Sequence, residues 1–170
     1  DAGIGLTEQQ MQKDLTIDAG ETLSIEYIIW NNATRQDIFS VTLLHDPPGQ
    51  WIIEKPGLDN AVLNGESFTT FRIDITAPTT GQAGDMAPAI TPQLTSKRSG
   101  MEVQGTPFDG IVVSTVSDLE LRLLEAPQKL TPGVASKVLM EVENNGNGQV
   151  FATLSSETIP DSWSWWMRVD

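Results

Sequence analysis

The chain contains no cysteine and only one histidine, His45. Without cysteine there is no disulfide bond, no thiol nucleophile and no cysteine-ligated zinc. A single histidine removes most histidine-based catalysis and excludes histidine-rich metal sites. His45 precedes Asp46, but no G-x-S-x-G motif supplies a nucleophile, so we interpret this segment, which continues into Pro47-Pro48, as a rigid turn. These absences favour a protein that is not an enzyme, and we predict no catalytic, cofactor or metal site.

Basic residues are also few, with 10 Lys plus Arg against 23 Asp plus Glu and a formal net charge of −13. Such a negative field repels phosphate groups, so we expect neither a nucleic-acid partner nor docking on an anionic membrane. No apolar run approaches the ~18 residues of a transmembrane helix, and we expect no membrane insertion. The chain begins at Asp1 without a signal-like segment, and we interpret it as a mature product or an excised fragment.

The sequence is rich in short strand patterns separated by turn-forming residues. Apolar and polar residues alternate in these patterns, which is typical of strands with one buried face. The alternation predicts strands at residues 21–30, 37–44, 68–76, 111–116 and 119–123. Many short strands with regular turns between them predict an all-β fold of the sandwich type.

The sequence pattern does not decide the secondary structure of two segments. Residues 7–13 carry good helix formers and a candidate N-cap at Thr7, so a short helix and an extended leader are both compatible with them. Pro88 and Pro92 interrupt the region 85–107 where a strand would otherwise be expected, and they leave the number of strands there undetermined.

An internal repeat relates the two ends of the chain, residues 19–51 and 132–163. Each copy runs from a glycine turn into a strand, an Asn-Asn turn, a second strand and a Pro-x-x-Trp motif. At a constant separation with one deletion, the matched pairs are Gly20 with Gly133, Asn31-Asn32 with Asn144-Asn145, Phe39 with Phe151, Pro48 with Pro160, and Trp51 with Trp163. The period is that of one immunoglobulin-like sandwich, roughly 100 residues.

We therefore predict tandem immunoglobulin-like antiparallel β-sandwiches, the second incomplete within this chain. Residues 1–116 form the first sandwich, and residues 117–170 form the first half of the second. The connection near Ser117-Asp118 is short, which limits relative motion of the two units. The second unit is completed by further polypeptide or by a strand from a neighbouring molecule, unless it is a smaller, different domain.

The motifs of the repeat resemble the NEW3/CARDB-type immunoglobulin-like domains of prokaryotic secreted and cell-surface proteins. The resemblance lies in Gly20 before a strand, in the Asn31-Asn32 turn, and in Pro48-Gly49-Gln50-Trp51, followed by the strand that ends at Thr76-Ala77-Pro78. The second copy shows Asn144-Asn145 and Pro160-Asp161-Ser162-Trp163. The resemblance implies a non-catalytic spacer, scaffold or binding module located outside the cell or on its surface.

Three tryptophans near the C-terminus are candidates for contact with a ligand or partner: Trp163, Trp165 and Trp166. On a strand, Trp163 and Trp165 would share a face, and coplanar aromatic rings could stack on sugars. Alternatively, Trp163 fills the core as Trp51 does and the others cover a domain or subunit contact.

Two further motifs lie on predicted turns, and each has a functional and a structural interpretation. Asn32-Ala33-Thr34 is an N-x-Thr sequon, which makes Asn32 a glycosylation candidate in a glycosylating host. Residues 143–148 resemble the start of a calcium loop, but Leu154 stands where a bidentate Glu is required, so we predict a tight turn. Calcium held at the domain junction by residues such as Asp109 and Asp118 is the alternative.

The leading functional hypothesis is a structural or interaction module of a bacterial or archaeal surface layer, pilus-like filament or adhesin. Its expected partners are other copies or domains of that assembly. The alternative is a carbohydrate-binding accessory module of a secreted glycoside hydrolase, with polysaccharide as partner. A weaker third hypothesis, a glycosidase acting through two carboxylates, needs a facing pair that sequence cannot place.

Overall fold

In the computed structural model, residues 2–8, 10–11, 15–57, 59–155 and 162–169 are described. Every regular element within these ranges is a β-strand, which confirms the predicted all-β fold. A helix with the length and apolar character needed to cross a membrane is absent from the same ranges. The strands are β1 (Ala2–Leu6), β2 (Thr16–Ile17), β3 (Thr22–Asn31), β4 (Asp37–Leu44), β5 (Ile52–Glu54), β6 (Asn60–Leu63), β7 (Ser67–Thr76), β8 (Thr91–Ser96), β9 (Glu102–Gln104), β10 (Val112–Val113), β11 (Leu119–Glu125) and β12 (Leu139–Asn144).

The first sheet has the strand order β1-β3-β7-β5, with every neighbour antiparallel. β3 and β7 pair along their full lengths, from Thr22 opposite Thr76 to Asn31 opposite Ser67. Their alternating patterns place one set of side chains inward, so the strands predicted at 21–30 and 68–76 are confirmed to within one residue. β3 and β7 therefore form the centre of the sheet.

The second sheet has the order β6-β4-β8-β9, and its buried residues pack with those of the first sheet in one core. Together, β1-β3-β7 and β4-β8-β9 reproduce the two-sheet arrangement of an immunoglobulin-like domain. Pro92 lies within β8, opposite Leu43 of β4, so the interpretation that it interrupts a strand is wrong. The strand tolerates Pro92 because it is the second residue of β8, and its carbonyl still accepts a hydrogen bond from Gly105 N at 2.8 Å.

The core lies between the two sheets and is built from their inward residues. Tyr27 of β3 is fully buried, and its ring stacks on that of Phe71 in β7 with centroids 5.6 Å apart. Its hydroxyl donates to the carbonyl of Thr106 at 3.0 Å, which satisfies the one polar atom that the ring brings inside. The residues buried with it include Ile25, Ile29, Ile73, Ile75, Phe39, Val41, Leu94, Ile90 and Ile111.

Two segments differ from the sequence predictions. The strand predicted at 111–116 is regular only at β10, which pairs in parallel with the equally short β2. Beyond Ser114 the backbone bonds to a later turn instead of continuing the pair, as described below. In segment 7–13, the described residues Thr7, Glu8, Gln10 and Met11 form a turn closed by Gln10 N donating to Thr7 O at 3.0 Å; residues 9, 12 and 13 lie outside the described ranges.

Glycine in β1 makes room for Trp30 of β3 on the outer side of the first sheet. Gly3 stands directly opposite Trp30 in the β1–β3 register. A Cβ added at Gly3 would lie 2.2 Å from Cζ2 of the indole, whereas one at Gly5 would lie 3.5 Å from the nearest ring atom. The indole thus covers the β1 backbone. Of the two glycines, only Gly3 lies so close to the ring that no other residue fits there.

We expect Gly3→Ala to force the Trp30 ring off β1, because the added methyl group overlaps the indole. The free energy of unfolding should fall by about 1–3 kcal/mol, a typical penalty for overpacking. Urea unfolding followed by tryptophan fluorescence measures it. Gly5→Ala is the matched control and should stay within about 0.5 kcal/mol of the parent, since its methyl group makes ordinary contacts. Equal midpoints for the two variants would contradict the proposed contact.

Candidate interaction surface

β11 and β12 form a separate two-stranded antiparallel sheet after the first sandwich. The register runs from Leu119 opposite Asn144 to Leu123 opposite Met140, followed by an irregularity before Glu125. Directly opposed residues share a face, so the alternation in both strands sorts the side chains into an apolar and a charged side. The strand predicted at 119–123 is confirmed as β11.

The apolar side of this sheet is exposed. It consists of Leu119, Leu121, Leu123, Met140 and Val142, which we call the Leu/Met face. Their exposed fractions lie between 44% for Leu119 and 61% for Leu123. Singly exposed apolar residues are common, but five neighbours on one face form a contiguous patch of the kind that marks an interaction surface.

The opposite side of the sheet is charged. Arg122 Nη2 lies 2.7 Å from Glu120 Oε2 and 3.3 Å from Glu143 Oε2, while Glu141 stands opposite Arg122 in the register. The hydrogen bond from Arg122 lowers the pKa of Glu120. This side carries one base against three acids, so its net charge is negative.

The two-stranded sheet reproduces the register of β1 with β3. In the first sandwich, Ile4 lies opposite Ile29 and Leu6 opposite Tyr27; in the later sheet, Leu121 lies opposite Val142 and Leu123 opposite Met140. Ile4 and Ile29 are 5% and 0% exposed, whereas their counterparts are 54% and 52% exposed. The difference arises because β7 and the second sheet cover β3, while in the described ranges β12 has no strand on its other edge.

The Asn-Asn turns of the repeat share one hydrogen-bonding scheme. Asn31 Nδ2 donates to Arg35 O at 2.9 Å, and its Oδ1 accepts from Ala33 N at 3.1 Å. Asn144 makes the same two bonds, from Nδ2 to Gly148 O at 2.9 Å and to Oδ1 from Gly146 N at 3.0 Å. Residues 144–148 therefore form the predicted tight turn, built as the turn after β3 is built.

Asn147 ties this second turn to the first sandwich. Its Nδ2 donates to Ser114 O and its Oδ1 accepts from Val116 N, both at 2.8 Å. Its backbone carbonyl accepts from Ala83 N at 3.0 Å. A Cβ at Gly146 would lie 2.2 Å from Val116 O, so only glycine permits this approach. The signal for the turn was visible in the Asn/Gly-rich sequence, but the role of Asn147 across the junction was not.

The three candidate tryptophans are exposed. The exposed fractions are 56% for Trp163, 51% for Trp165 and 80% for Trp166, and residues 163–169 form no strand. The strand face on which Trp163 and Trp165 would lie together is therefore not formed. Trp51, matched with Trp163 in the repeat, is only 7% exposed, so Trp163 does not fill the core as Trp51 does. Pro160 and Asp161 of the motif before it lie outside the described residues.

Asn32 directly follows β3 and is exposed, as are Ala33 and Thr34 of its sequon. The turn backbone is held by Glu66 N, which donates to Ala33 O at 2.9 Å. A glycan on Asn32 would project into solvent, and its presence stays a prediction. Over the described ranges no group of three or more His, Asp or Glu side chains is arranged to hold a metal ion, and Asp109 and Asp118 belong to no such group.

No family model and no curated protein sequence matches the chain. It is similar in structure to the cupredoxin domain of amoB from Nitrosocaldus yellowstonii, with 11% identity, a TM-score of 0.38 and coverage of 67% of this chain. This chain spans 63% of the length of that domain. The ASH/PapD-like domain 7 of human CEP192 gives 13% identity and a TM-score of 0.41 over 68% of this chain and 84% of that chain. A FixG-related protein from Vibrio parahaemolyticus gives 10% identity and a TM-score of 0.44 over 64% of this chain and 94% of that chain. All three TM-scores are below 0.5, and neither the fold nor the role of this chain is inferred from these similarities.

Proposed function

We propose that this chain is a non-catalytic structural and interaction module of a bacterial or archaeal cell-surface or secreted assembly, such as a surface layer, pilus-like filament or adhesin. The observation that carries the proposal is the junction at Asn147, where side-chain and backbone bonds hold the β11–β12 sheet against the end of the first sandwich. A short junction fixed by hydrogen bonds limits relative motion of the two units, as expected of a spacer module that holds its neighbours at a set distance. The resemblance of the repeat to NEW3/CARDB-type domains supports the same role.

The location of the protein tests this proposal first. Antibodies raised against the 170-residue chain should label intact cells of the source organism, or should detect the protein in the medium. Antibodies against a cytoplasmic protein of the same cells are the control for leakage. Detection only after cell lysis would contradict the proposal.

The junction supplies a second test, because the cysteine-free sequence allows two spin labels to be placed at introduced cysteines. With Thr42→Cys and Gln128→Cys, both at exposed positions, pulsed electron double resonance should give one narrow distance distribution. Asn147→Ala removes the two side-chain bonds, from Nδ2 to Ser114 O and from Val116 N to Oδ1, and we expect the distribution to broaden at least twofold. Asn32→Ala, at an exposed asparagine, is the matched control and should leave it narrow. A distribution unaffected by Asn147→Ala would contradict a junction held by this side chain.

A second candidate function is polysaccharide binding by an accessory module of a secreted hydrolase, favoured by the exposure of Trp163, Trp165 and Trp166. Exposed rings are what stacking on sugars requires. Affinity electrophoresis in gels containing cellulose derivatives, xylan or chitosan separates the candidates. Retardation abolished by Trp165→Ala and Trp166→Ala would favour polysaccharide binding, while unretarded migration favours the spacer.

A further inference from the structure

We propose that Asn64 is a site of spontaneous covalent modification, at which the folded chain converts asparagine to aspartate and isoaspartate as it ages. In this reaction the backbone nitrogen of the next residue attacks Cγ of the asparagine, a five-membered imide forms, and ammonia leaves. Water then opens the imide at either of its carbonyls, giving aspartate or isoaspartate. The inference concerns the chemistry of the chain itself and does not depend on the proposed assembly role.

The sequence offers three places where this reaction is favoured. Glycine after asparagine leaves the attacking nitrogen unhindered, because glycine has no Cβ and its backbone adopts many conformations. Each of the three pairs lies outside the strands, and the sequence alone gives no reason to rank them. The pairs are Asn64-Gly65, Asn145-Gly146 and Asn147-Gly148.

Hydrogen bonds restrain both of the pairs that follow β12. Asn147 is held at both atoms of its amide, since Nδ2 donates to Ser114 O and Oδ1 accepts from Val116 N, both at 2.8 Å. In the pair before it, the attacking nitrogen is already engaged, because Gly146 N donates to Asn144 Oδ1 at 3.0 Å. The imide can form at either pair only after these bonds break.

Asn64 lacks both kinds of restraint. It directly follows β6 and is exposed, and its Oδ1 accepts one bond at 3.0 Å, from the exposed side chain of Gln36, which water can replace. Within the described ranges, neither Nδ2 of Asn64 nor the backbone nitrogen of Gly65 takes part in a hydrogen bond. The group that must leave and the nitrogen that must attack are therefore both available, and the structure selects this pair among the three.

Isoaspartate at this position would disturb a buried contact. The carbonyl of Asn64 accepts from Nδ2 of Asn31, which is 1% exposed, at 3.0 Å and from Oγ of Ser67 at 2.8 Å. Isoaspartate joins Gly65 N to Cγ, which lengthens the main chain by one methylene group and turns the original carbonyl into a free carboxylate. Gly65 packs so closely on Thr34 that a Cβ would lie 2.3 Å from its carbonyl carbon, so the longer main chain must displace the turn.

The rate of reaction at each pair tests the selection. The whole 170-residue chain is incubated at pH 8, folded and in urea, and is then digested with pepsin at acid pH, where little further reaction occurs. Tandem mass spectrometry locates the change of amide to acid at each asparagine. In the folded chain we expect Asn64 to react at least tenfold faster than Asn145 and Asn147. In urea the protecting bonds are absent, and the three rates should converge.

Asn144→Ala supplies the converse test, because it removes the acceptor that engages Gly146 N. Asn145 should then react severalfold faster in the folded chain. The rate at Asn64 should stay unchanged and serves as the internal control. Circular dichroism verifies that the variant retains the parent fold.

The effect on the turn is measured on the aged chain, which anion exchange separates from the parent because it carries one more negative charge. The isoaspartate form should unfold at a lower urea concentration than Asn64→Asp, the matched variant that gains the same charge with an unaltered main chain. Hydrogen exchange should become faster at residues 31–35 and 63–67.

Reaction at Asn145 or Asn147 as fast as at Asn64 in the folded chain would overturn the proposal. So would a folded chain in which Asn64 stays intact over a period that converts it completely in urea. An isoaspartate form as stable as Asn64→Asp would overturn the predicted displacement of the turn. The cell-surface labelling and the spin-label distances do not bear on any of these results.

Discussion

Asn31→Asp is expected to lower the free energy of unfolding by about 3 kcal/mol at pH 7. Asn31 is 1% exposed, and its Nδ2 donates to the carbonyls of Arg35 at 2.9 Å, Asn64 at 3.0 Å and Leu63 at 3.3 Å. In the variant, a carboxylate oxygen would face these three carbonyl oxygens while being shielded from water. Leaving buried groups unpaired costs about 1–3 kcal/mol, and more when one of them is charged.

Urea unfolding followed by circular dichroism measures this loss, with two asparagine variants as controls. Asn32→Asp changes an exposed neighbour and should shift stability by less than about 0.5 kcal/mol. Asn144→Asp removes the matching Nδ2 bond, to Gly148 O, but at an exposed turn where water can bind the freed carbonyl, so the loss should stay below about 1 kcal/mol. A loss for Asn31→Asp no larger than that for Asn144→Asp would contradict the role of burial.

The free energy of unfolding is expected to fall progressively above pH 10, because the Tyr27 phenol ionises more readily in the unfolded chain than in the folded one. Burial raises the pKa of Tyr27 above its ordinary value of 10.0, because the phenolate would lose its hydration. The unfolded chain therefore releases the phenol proton at a lower pH than the folded chain. Between the two pKa values the unfolded state binds fewer protons, so the free energy of unfolding falls by about 1.4 kcal/mol per pH unit.

The Tyr27→Phe variant isolates this contribution. At pH 7 it should lose about 1 kcal/mol, since the hydroxyl bond to Thr106 is removed and that carbonyl is left without its donor. Above pH 10 the stability gap should narrow and then reverse, because the variant has no phenol to ionise. Tyr27 is the one tyrosine of the chain, so absorbance at 295 nm follows its titration directly. A folded-state titration near pH 10 would contradict the shift.

The long strands could be predicted because a strand with one buried face has apolar residues at every second position. In β3, β4 and β7, alternate residues enter one core, and the pattern is long enough to exceed chance. β2 and β10 have two residues each and carry no period of their own. They exist because the backbones of Leu15, Ile17 and Ser114 meet in the folded chain, which no local pattern indicates.

Only part of the candidate surface was predictable. The alternation of leucine with charged residues in β11 predicted a strand and, with β12, would have predicted an amphipathic sheet. Whether that sheet is covered depends on strands elsewhere, so the exposure of Leu121 and Trp163 could not be derived from their own neighbourhoods. Asn147 was part of a recognised turn, but its bond to Ser114 spans distant positions of the chain.

The parallel pairing of β2 with β10 has a mechanical consequence. β2 lies near the start of the first sandwich and β10 near its end, so tension along the polypeptide pulls the two strands past each other lengthwise. In that geometry the bonds from Val112 N to Leu15 O at 2.9 Å and from Ser114 N to Ile17 O at 2.8 Å are stretched together, not broken one after another. A two-residue pair placed in this way can act as a force-bearing clamp, protecting the core while a load passes along the chain.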